Sequence, residues 1–396
     1  MTGSLPVSPT VADAAFRDEA REWLRSNIPR TPRPRTGVEM REFDTAWQRA
    51  QWQGGWAGVS WPVEAGGRGL SPLQQMIWYE EYALADAPYV GISFVGLNHA
   101  GPTLIERGSE AQRRAHLGPI LRGEAVWCQG FSEPDAGSDL AGLRTRATVD
   151  GDVLVVNGQK IWTSYAHLAD FQELLVRTDT AAERHRGLSW VICDMRSEGI
   201  SVRPIRTMPG VEHFCEVFYD DVRIPVDSVV GGLNQGWRVA MTTLSIERGA
   251  AFMADQVALA RTVERLIELA RERTGPDGRH AAIADDVLAR GLATARAETA
   301  ALRAMTYATV ARSLREGGPG AEGSLPKVYY SDVVQHVYQL GMAVLGSDAL
   351  VMGTETHGVD WVYHYLDSFA RSIGSGTREI QKNIIGERVL GLPRAR

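Results

Sequence analysis

The feature that most constrains this chain is a double change of hydrophobic period. Apolar residues recur at helical spacing up to Gly123, alternate in short strand-like runs from Ala125 to about Gly232, and return to helical spacing from Gly236 to the end. Helices, then strands, then helices make an α+β chain whose elements are segregated rather than wound as βαβ units. At 396 residues and 44% hydrophobic composition, two or three separate cores are expected. The boundaries implied are 1–124 for an N-terminal helical domain, 125–235 for a middle β-domain, and 236–396 for a C-terminal helical bundle.

The first helix is predicted from Asp13 to Asn27, ending before Pro29, with a proline-rich connector up to Thr36. Further helices are predicted over Phe43 to Gln53, Pro72 to Ala85, Pro102 to Arg107 and Ser109 to Arg122. Strands are predicted at Ala125 to Phe131, Thr145 to Val149, Val153 to Val156, Leu174 to Arg177 and Leu188 to Asp194. Asp150-Gly151 and Asn157-Gly158 read as two hairpin turns in succession, hence an antiparallel meander. Long helices follow over Trp237 to Arg273, Ala284 to Arg315, Lys327 to Leu345 and Thr377 to Leu390.

With 42 basic against 48 acidic residues the net charge is -6, and no basic block or aromatic-basic stripe suggests nucleic acid. Cys128, Cys193 and Cys215 are too far apart for a C-x-x-C pair and predict buried thiols without a disulfide framework or a metal site. The start, MTGSLPVSPTVADAAF, lacks a signal-peptide pattern, and no run long enough to span a membrane occurs, so a cytoplasmic protein is expected. Gly318, Gly320 and Gly323 spell G-x-G-x-x-G, but they follow a helix rather than a strand and enclose Pro319, so they read as an interhelical loop.

Two runs stand out chemically: QGFSEPDAGSD, Gln129 to Asp139, and NGQKIWTSYAHLAD, Asn157 to Asp170. Taken alone, the first is compatible with a surface turn. Together they resemble the flavin-contacting segments of the acyl-CoA dehydrogenase family, and the resemblance extends over nearly the whole chain. It implies an N-terminal helical domain, a central antiparallel β-barrel-like domain and a C-terminal four-helix bundle. It implies FAD as cofactor, an acyl-CoA thioester as substrate, an electron-transfer flavoprotein as acceptor, and a homo- or heterotetramer built as a dimer of dimers.

The resemblance also assigns residues. Gln129, Phe131, Ser132, Gly137 and Ser138 match one flavin segment, with Ser138 also near the pantetheine. Trp162, Thr163 and Ser164 match the second. Threonine is usual in the family at Ser132 and Ser164, and a hydroxyl is kept at both. Arg273 stands where the family places an arginine on the flavin pyrophosphate of a neighbouring subunit, although Thr274-Gly275 replaces the usual phenylalanine-glycine. Thr377 and Glu379, opening a helix, match further cofactor contacts.

The base is displaced from its commonest place. Where most members carry Glu-Gly-Thr, this chain has Gly374-Ser375-Gly376-Thr377. Glu247, followed by Arg248, stands where isovaleryl-CoA dehydrogenase, long-chain relatives and one subunit of heterotetrameric steroid side-chain dehydrogenases carry their glutamate. Glu247 also falls on a stripe of Ala240, Leu244, Ala251, Ala254 and Ala258 at alternating intervals of four and three, and burial there raises a carboxylate's proton affinity. A structural ion pair with Arg248 is the plain alternative. On the family reading Glu247 removes the α-proton as hydride leaves the β-carbon for flavin N5. The Ser375 backbone N–H supports the thioester oxygen, and Arg248 balances the base. Two rivals remain: a non-catalytic subunit of a heterotetramer, and an acyl-CoA oxidase or flavin monooxygenase on the same fold.

Overall fold

The computed structural model describes residues 11–246, 252–316 and 320–394. The helices are α1 (Val11–Asn27), α2 (Gly37–Gln53), α3 (Pro72–Leu84), α4 (Gly101–Arg107) and α5 (Glu110–Leu121) before the sheet. The strands are β1 (Trp127–Gly130), β2 (Arg146–Asp150), β3 (Val153–Ser164), β4 (Phe171–Arg177), β5 (Leu188–Asp194), β6 (Ile200–Ile205), β7 (Phe214–Pro225) and β8 (Val229–Val230). After them come α6 (Gly236–Ile246), α7 (Phe252–Glu272), α8 (Asp286–Glu316), α9 (Ser324–Leu345), α10 (Trp361–Ser368) and α11 (Arg378–Ile384). The segregated α+β order read from the sequence is the order observed.

Packing gathers these elements into two compact units that cut across that order: described residues 26–71 and 88–246 form one, and 11–25, 72–87, 252–316 and 320–394 form the other.

The first unit is built on one sheet ordered β6-β7-β3-β2-β4-β5-β8, with β1 paired to β4. Most neighbours are antiparallel, but β1 and β2 both meet β4 in parallel, so the sheet is mixed rather than a pure meander. Asp150-Gly151 does turn β2 into β3. Asn157-Gly158 does not turn: β3 continues through it to Ser164. The Asn157 amide is used across the sheet instead, donating to Asp221 Oδ1 at 2.8 Å and accepting from the Asp221 N–H at 3.0 Å. Gly158 sits at φ +151°, and a Cβ there would lie 2.6 Å from the Thr145 hydroxyl. That pair marks a register shift within a long strand.

A core of Trp61, Leu104, Ile120, Trp127, Leu175, Trp190 and Val239 fixes α4, α5 and α6 on the sheet. Gly101 lets the Trp61 ring approach the helix, since a Cβ would meet it at 2.0 Å. Ser109 and Gln112 close a capping box at the start of α5. The three cysteines are free and buried in the sheet.

The second unit is helical. α7, α8 and α9 bury Leu259, Val263, Leu266, Leu292, Leu302, Val333 and Val337 at helical spacing, with Trp361 of α10 closing the core. α10, missed by the sequence reading, starts where the Asp360 carboxylate accepts the Tyr363 N–H at 3.0 Å. Of the helix predicted over Trp237 to Arg273, the described residues show Gly236–Ile246 (α6) and Phe252–Glu272 (α7) as helical. Ala258 is exposed while Met253, Gln256 and Val257 are buried, so the stripe drawn through Ala258 is not one buried face. Gly320 to Gly323 is an interhelical turn among the described residues, and Gly318 lies outside them.

Within this unit two buried glutamates of α3 collect the charges of other helices. Glu80 accepts from Arg17, Arg303 and the Tyr307 hydroxyl, and Glu81 from Arg17 and Arg21. Burial would raise the Glu80 pKa, yet these donors hold it below the ordinary carboxylate value. A depressed carboxyl adds stability above its unfolded-state pKa and loses it as pH falls through its folded value. Glu80→Gln is therefore expected to lower unfolding free energy by about 2 kcal/mol at neutral pH. Urea titrations at descending pH should show the gap to the parent closing as Glu80 itself becomes protonated.

Candidate functional site

The two unusual runs of the sequence lie side by side in the sheet unit. β1 delivers Gln129, and the chain leaves the strand through Phe131 and Ser132, whose carbonyl accepts the Ile161 N–H of β3 at 3.0 Å. Phe131 is buried and Ser132 half-buried, while Pro134, Asp135, Gly137, Ser138 and Asp139 are exposed.

A loop with so much exposed backbone needs anchors, and the most buried is Lys160. Its side chain is fully buried, in phase with Leu154 and Val156 on the inner face of β3. Lys160 Nζ donates to the Phe131 carbonyl at 2.9 Å and to Glu133 Oε1 at 2.8 Å. Glu133 in turn accepts the backbone N–H of Arg144 at 2.6 Å and of Thr145 at 2.8 Å, clamping the far end of the loop to its beginning. Burial pulls the Lys160 pKa down to about 8 against the pull of Glu133. Burial pushes Glu133 up, but the Lys160 charge and its donors hold it below the ordinary value. Both groups are therefore charged at neutral pH.

Outer anchors complete the loop. Arg177 donates to the carbonyls of Ala141 and Leu143 at 2.8 and 3.1 Å, and Arg184 pairs with Asp139. Neither Lys160 nor Glu133 stood among the site residues read from the sequence, although the alternation of Leu154, Val156 and Lys160 marks a lysine on a buried face.

The second run is presented by a bulge. Between Lys160 and Thr163 β3 advances one residue more than β7. The extra residue is absorbed at Trp162, which takes φ +60°, a left-handed conformation rare for a large side chain. Its indole is 57% exposed and meets Phe214 edge-on at 6.1 Å. The bulge turns the next hydroxyl inward: Thr163 is fully buried, and its Oγ1 has no hydrogen-bond partner among the described residues. Ser164 is half-buried. A Cβ added to Gly137 would meet nothing within 4 Å. An exposed indole, a buried hydroxyl awaiting a partner and open loop backbone fit a planar heteroaromatic group with a polar edge. Flavin is such a group, and Gln129, Phe131, Ser132, Gly137, Ser138, Trp162, Thr163 and Ser164 all lie on this unit.

Arg273, Ser375, Thr377 and Glu379 fall on the helical unit. Arg273 is paired with Asp348 at 2.5 Å. Ser375 is exposed at φ +57°, its carbonyl accepting from the Gln381 amide at 2.9 Å. Thr377 caps α11, its hydroxyl accepting the Ile380 N–H at 3.3 Å, and Glu379 is exposed in the first turn. Glu247 and Arg248 lie outside the described residues. Among the described residues no histidine, cysteine and carboxylate cluster suits a metal ion, and no helix is long and apolar enough to cross a membrane.

Comparison with known proteins gives one family. Its N-terminal, middle and C-terminal domain models, each described as acyl-CoA dehydrogenase, match residues 10–124, 128–222 and 234–390. The chain is 39% identical over 386 residues to the acyl-CoA dehydrogenase IpdE1 of Mycobacterium tuberculosis, covering 96% of this chain and 97% of that protein. The ChsE4-ChsE5 complex of Mycobacterium tuberculosis superposes with a TM-score of 0.84 at 33% identity, over 98% of this chain and 100% of that one. The Tcur3481-Tcur3483 steroid ACAD does so at 0.85 and 29% identity, over 99% and 100%.

The loop's dependence on Lys160 is open to measurement. Lys160→Met strands the Glu133 carboxylate and the Phe131 carbonyl, and a loss of about 3 kcal/mol is expected on chemical unfolding. Adding Glu133→Gln is expected to recover part of that loss, because the stranded charge is then removed.

Proposed function

Because the chain belongs to the acyl-CoA dehydrogenase family, we propose that it oxidises the α,β bond of an acyl-CoA thioester to a trans-2-enoyl-CoA. It is an oxidoreductase, and its cofactor is FAD, which when bound takes up the hydride lost from the β-carbon. The observation that carries the reading is the exposed Trp162 indole beside the unpartnered, buried Thr163 hydroxyl. They stand on the strand that bonds the Phe131 to Ser132 segment. Trp162 would hold the flavin by ring contact, and the hydroxyls of Ser132, Thr163 and Ser164 would bond its polar groups. Gly137 and Ser138 let the pantetheine approach the loop backbone.

The proton is taken by Glu247, an assignment that rests on matched sequence positions: Ser375 occupies the commoner position of the base and has no carboxyl. A base alone does not suffice, because the charge that develops on the thioester oxygen needs donors, and the Ser375 backbone N–H is one. Its residue is already held at φ +57° by the bond from Gln381 to its carbonyl. Arg248 balances the charge of Glu247. Thr377 and Glu379 are assigned to the cofactor on the same matching. The named steroid ACAD supports a bulky polycyclic acyl group as substrate, and an electron-transfer flavoprotein is the proposed acceptor.

One observation favours a second reading. Arg273, matched to an arginine on a neighbouring subunit's flavin pyrophosphate, is already engaged by Asp348, as suits a non-catalytic subunit of a hetero-oligomer whose distal flavin contacts are weakened. The two-chain composition named for the ChsE4-ChsE5 complex is consistent with such a partner. On this reading the chain purified alone carries no flavin.

Anaerobic mixing with straight-chain, branched and steroid acyl-CoAs separates the two. The dehydrogenase reading expects bound flavin that bleaches with at least one of them. Glu247→Gln is expected to retain FAD and to lose bleaching by about a thousandfold or more in rate, in line with removal of a general base; a variant that bleaches as fast as the parent refutes the base assignment.

A further inference from the structure

Behind Gln129 lies a buried polar cluster that neither the fold nor the proposed chemistry has used. Gln129 on β1 stands opposite Glu173 on its parallel neighbour β4. Glu173 is fully buried and His99 is 3% exposed. His99 enters from the π-helical turn Gly96–Ala100, edge-on to Phe94 at 5.2 Å. The Gln129 Nε2 lies 2.7 Å from Glu173 Oε1 and 3.2 Å from His99 Nδ1, and His99 Nδ1 is 3.4 Å from that same carboxylate oxygen. All three residues belong to the sheet unit.

The chemistry orients the amide. The amide nitrogen of Gln129 donates to Glu173 Oε1, so its carbonyl oxygen faces away. The second N–H of the same nitrogen is directed at His99 Nδ1, which accepts when the imidazole proton is on Nε2. Burying a carboxylate costs several kcal/mol before its partners are counted, and single π-turns recur at functional sites. Packing alone supplies no reason to retain either.

We propose that Glu173 and His99 are positioning residues that lock the Gln129 amide so that its Oε1 accepts the imide N–H of the flavin ring. This rests on the FAD reading above. The oxidised ring has one N–H donor, at N3, between two carbonyls, so an acceptor of fixed direction is what that edge requires. Glu173 supplies the direction, and its charge, by drawing the N–H protons of the amide, enriches Oε1 as an acceptor. His99 prevents the amide from swinging about the single bond to Glu173.

The test is a double-mutant cycle read by FAD affinity, from quenching of flavin fluorescence as apoprotein is added, and by the position of the visible flavin band. Glu173→Gln keeps shape and removes charge. We expect about tenfold weaker FAD, equivalent to about 1.4 kcal/mol, and a shifted band. Gln129→Ala is expected to weaken FAD similarly, and the double variant no further, because Glu173 acts through Gln129. FAD methylated at N3 should bind the parent more weakly than FAD does, and Gln129→Ala equally with FAD. Additive losses, or a Glu173→Gln protein with parental affinity and spectrum, overturn the proposal while leaving the FAD reading intact. A parent protein that takes up no FAD overturns both. If circular dichroism shows Glu173→Gln unfolded, His99→Asn closes the same cycle with Gln129→Ala.

Discussion

The candidate site depends on one buried ion pair. Lys160 and Glu133 sit inside the sheet unit and tie the start of an exposed loop to its end, through the Phe131 carbonyl on one side and two backbone N–H groups on the other. A buried pair of this kind contributes little net stability compared with a hydrophobic substitute. Its contribution is directional: a fully buried ammonium with fixed partners sets where the loop begins, and that decides where Ser132 meets β3. Loop, bulge and indole follow from that register.

Around this pair β3 shifts register twice, once on each side of Lys160. The first is at Asn157-Gly158, where the amide of Asn157 braces β7; the second is the bulge at Trp162, which leaves the ring exposed. The helical unit follows a different economy. Its core is a plain apolar stripe on α7, α8 and α9, and its charges are collected by Glu80 and Glu81, whose partners come from α1 and α8.

The sequence made the architecture legible because period is a property of many residues at once: the change from 3.6 to 2 and back survives any single error. Turn chemistry was less reliable. Asp150-Gly151 and Asn157-Gly158 look alike as dipeptides, yet only the first turns, since the second is overruled by Asp221 on the opposite strand. α10 escaped because its start signal is one aspartate after a run of irregular residues. In the site, the exposed residues were visible as motifs. What holds them was not: Lys160, Glu133, Glu173 and His99 act through contacts that join residues far apart in sequence, and the left-handed turn at Trp162 arises from a register mismatch between two strands rather than from Trp162 itself.

The three cysteines place a further property in the sheet. Burial pushes Cys128 and Cys215 above the ordinary thiol range and Cys193 up to about 12. Oxidants and electrophiles attack the thiolate, so these sulfurs are inert for as long as the sheet stays closed. A protein that handles reduced flavin works next to a source of peroxide whenever electrons stray to oxygen. Keeping these thiols protonated and out of reach lets the sheet outlast such by-products.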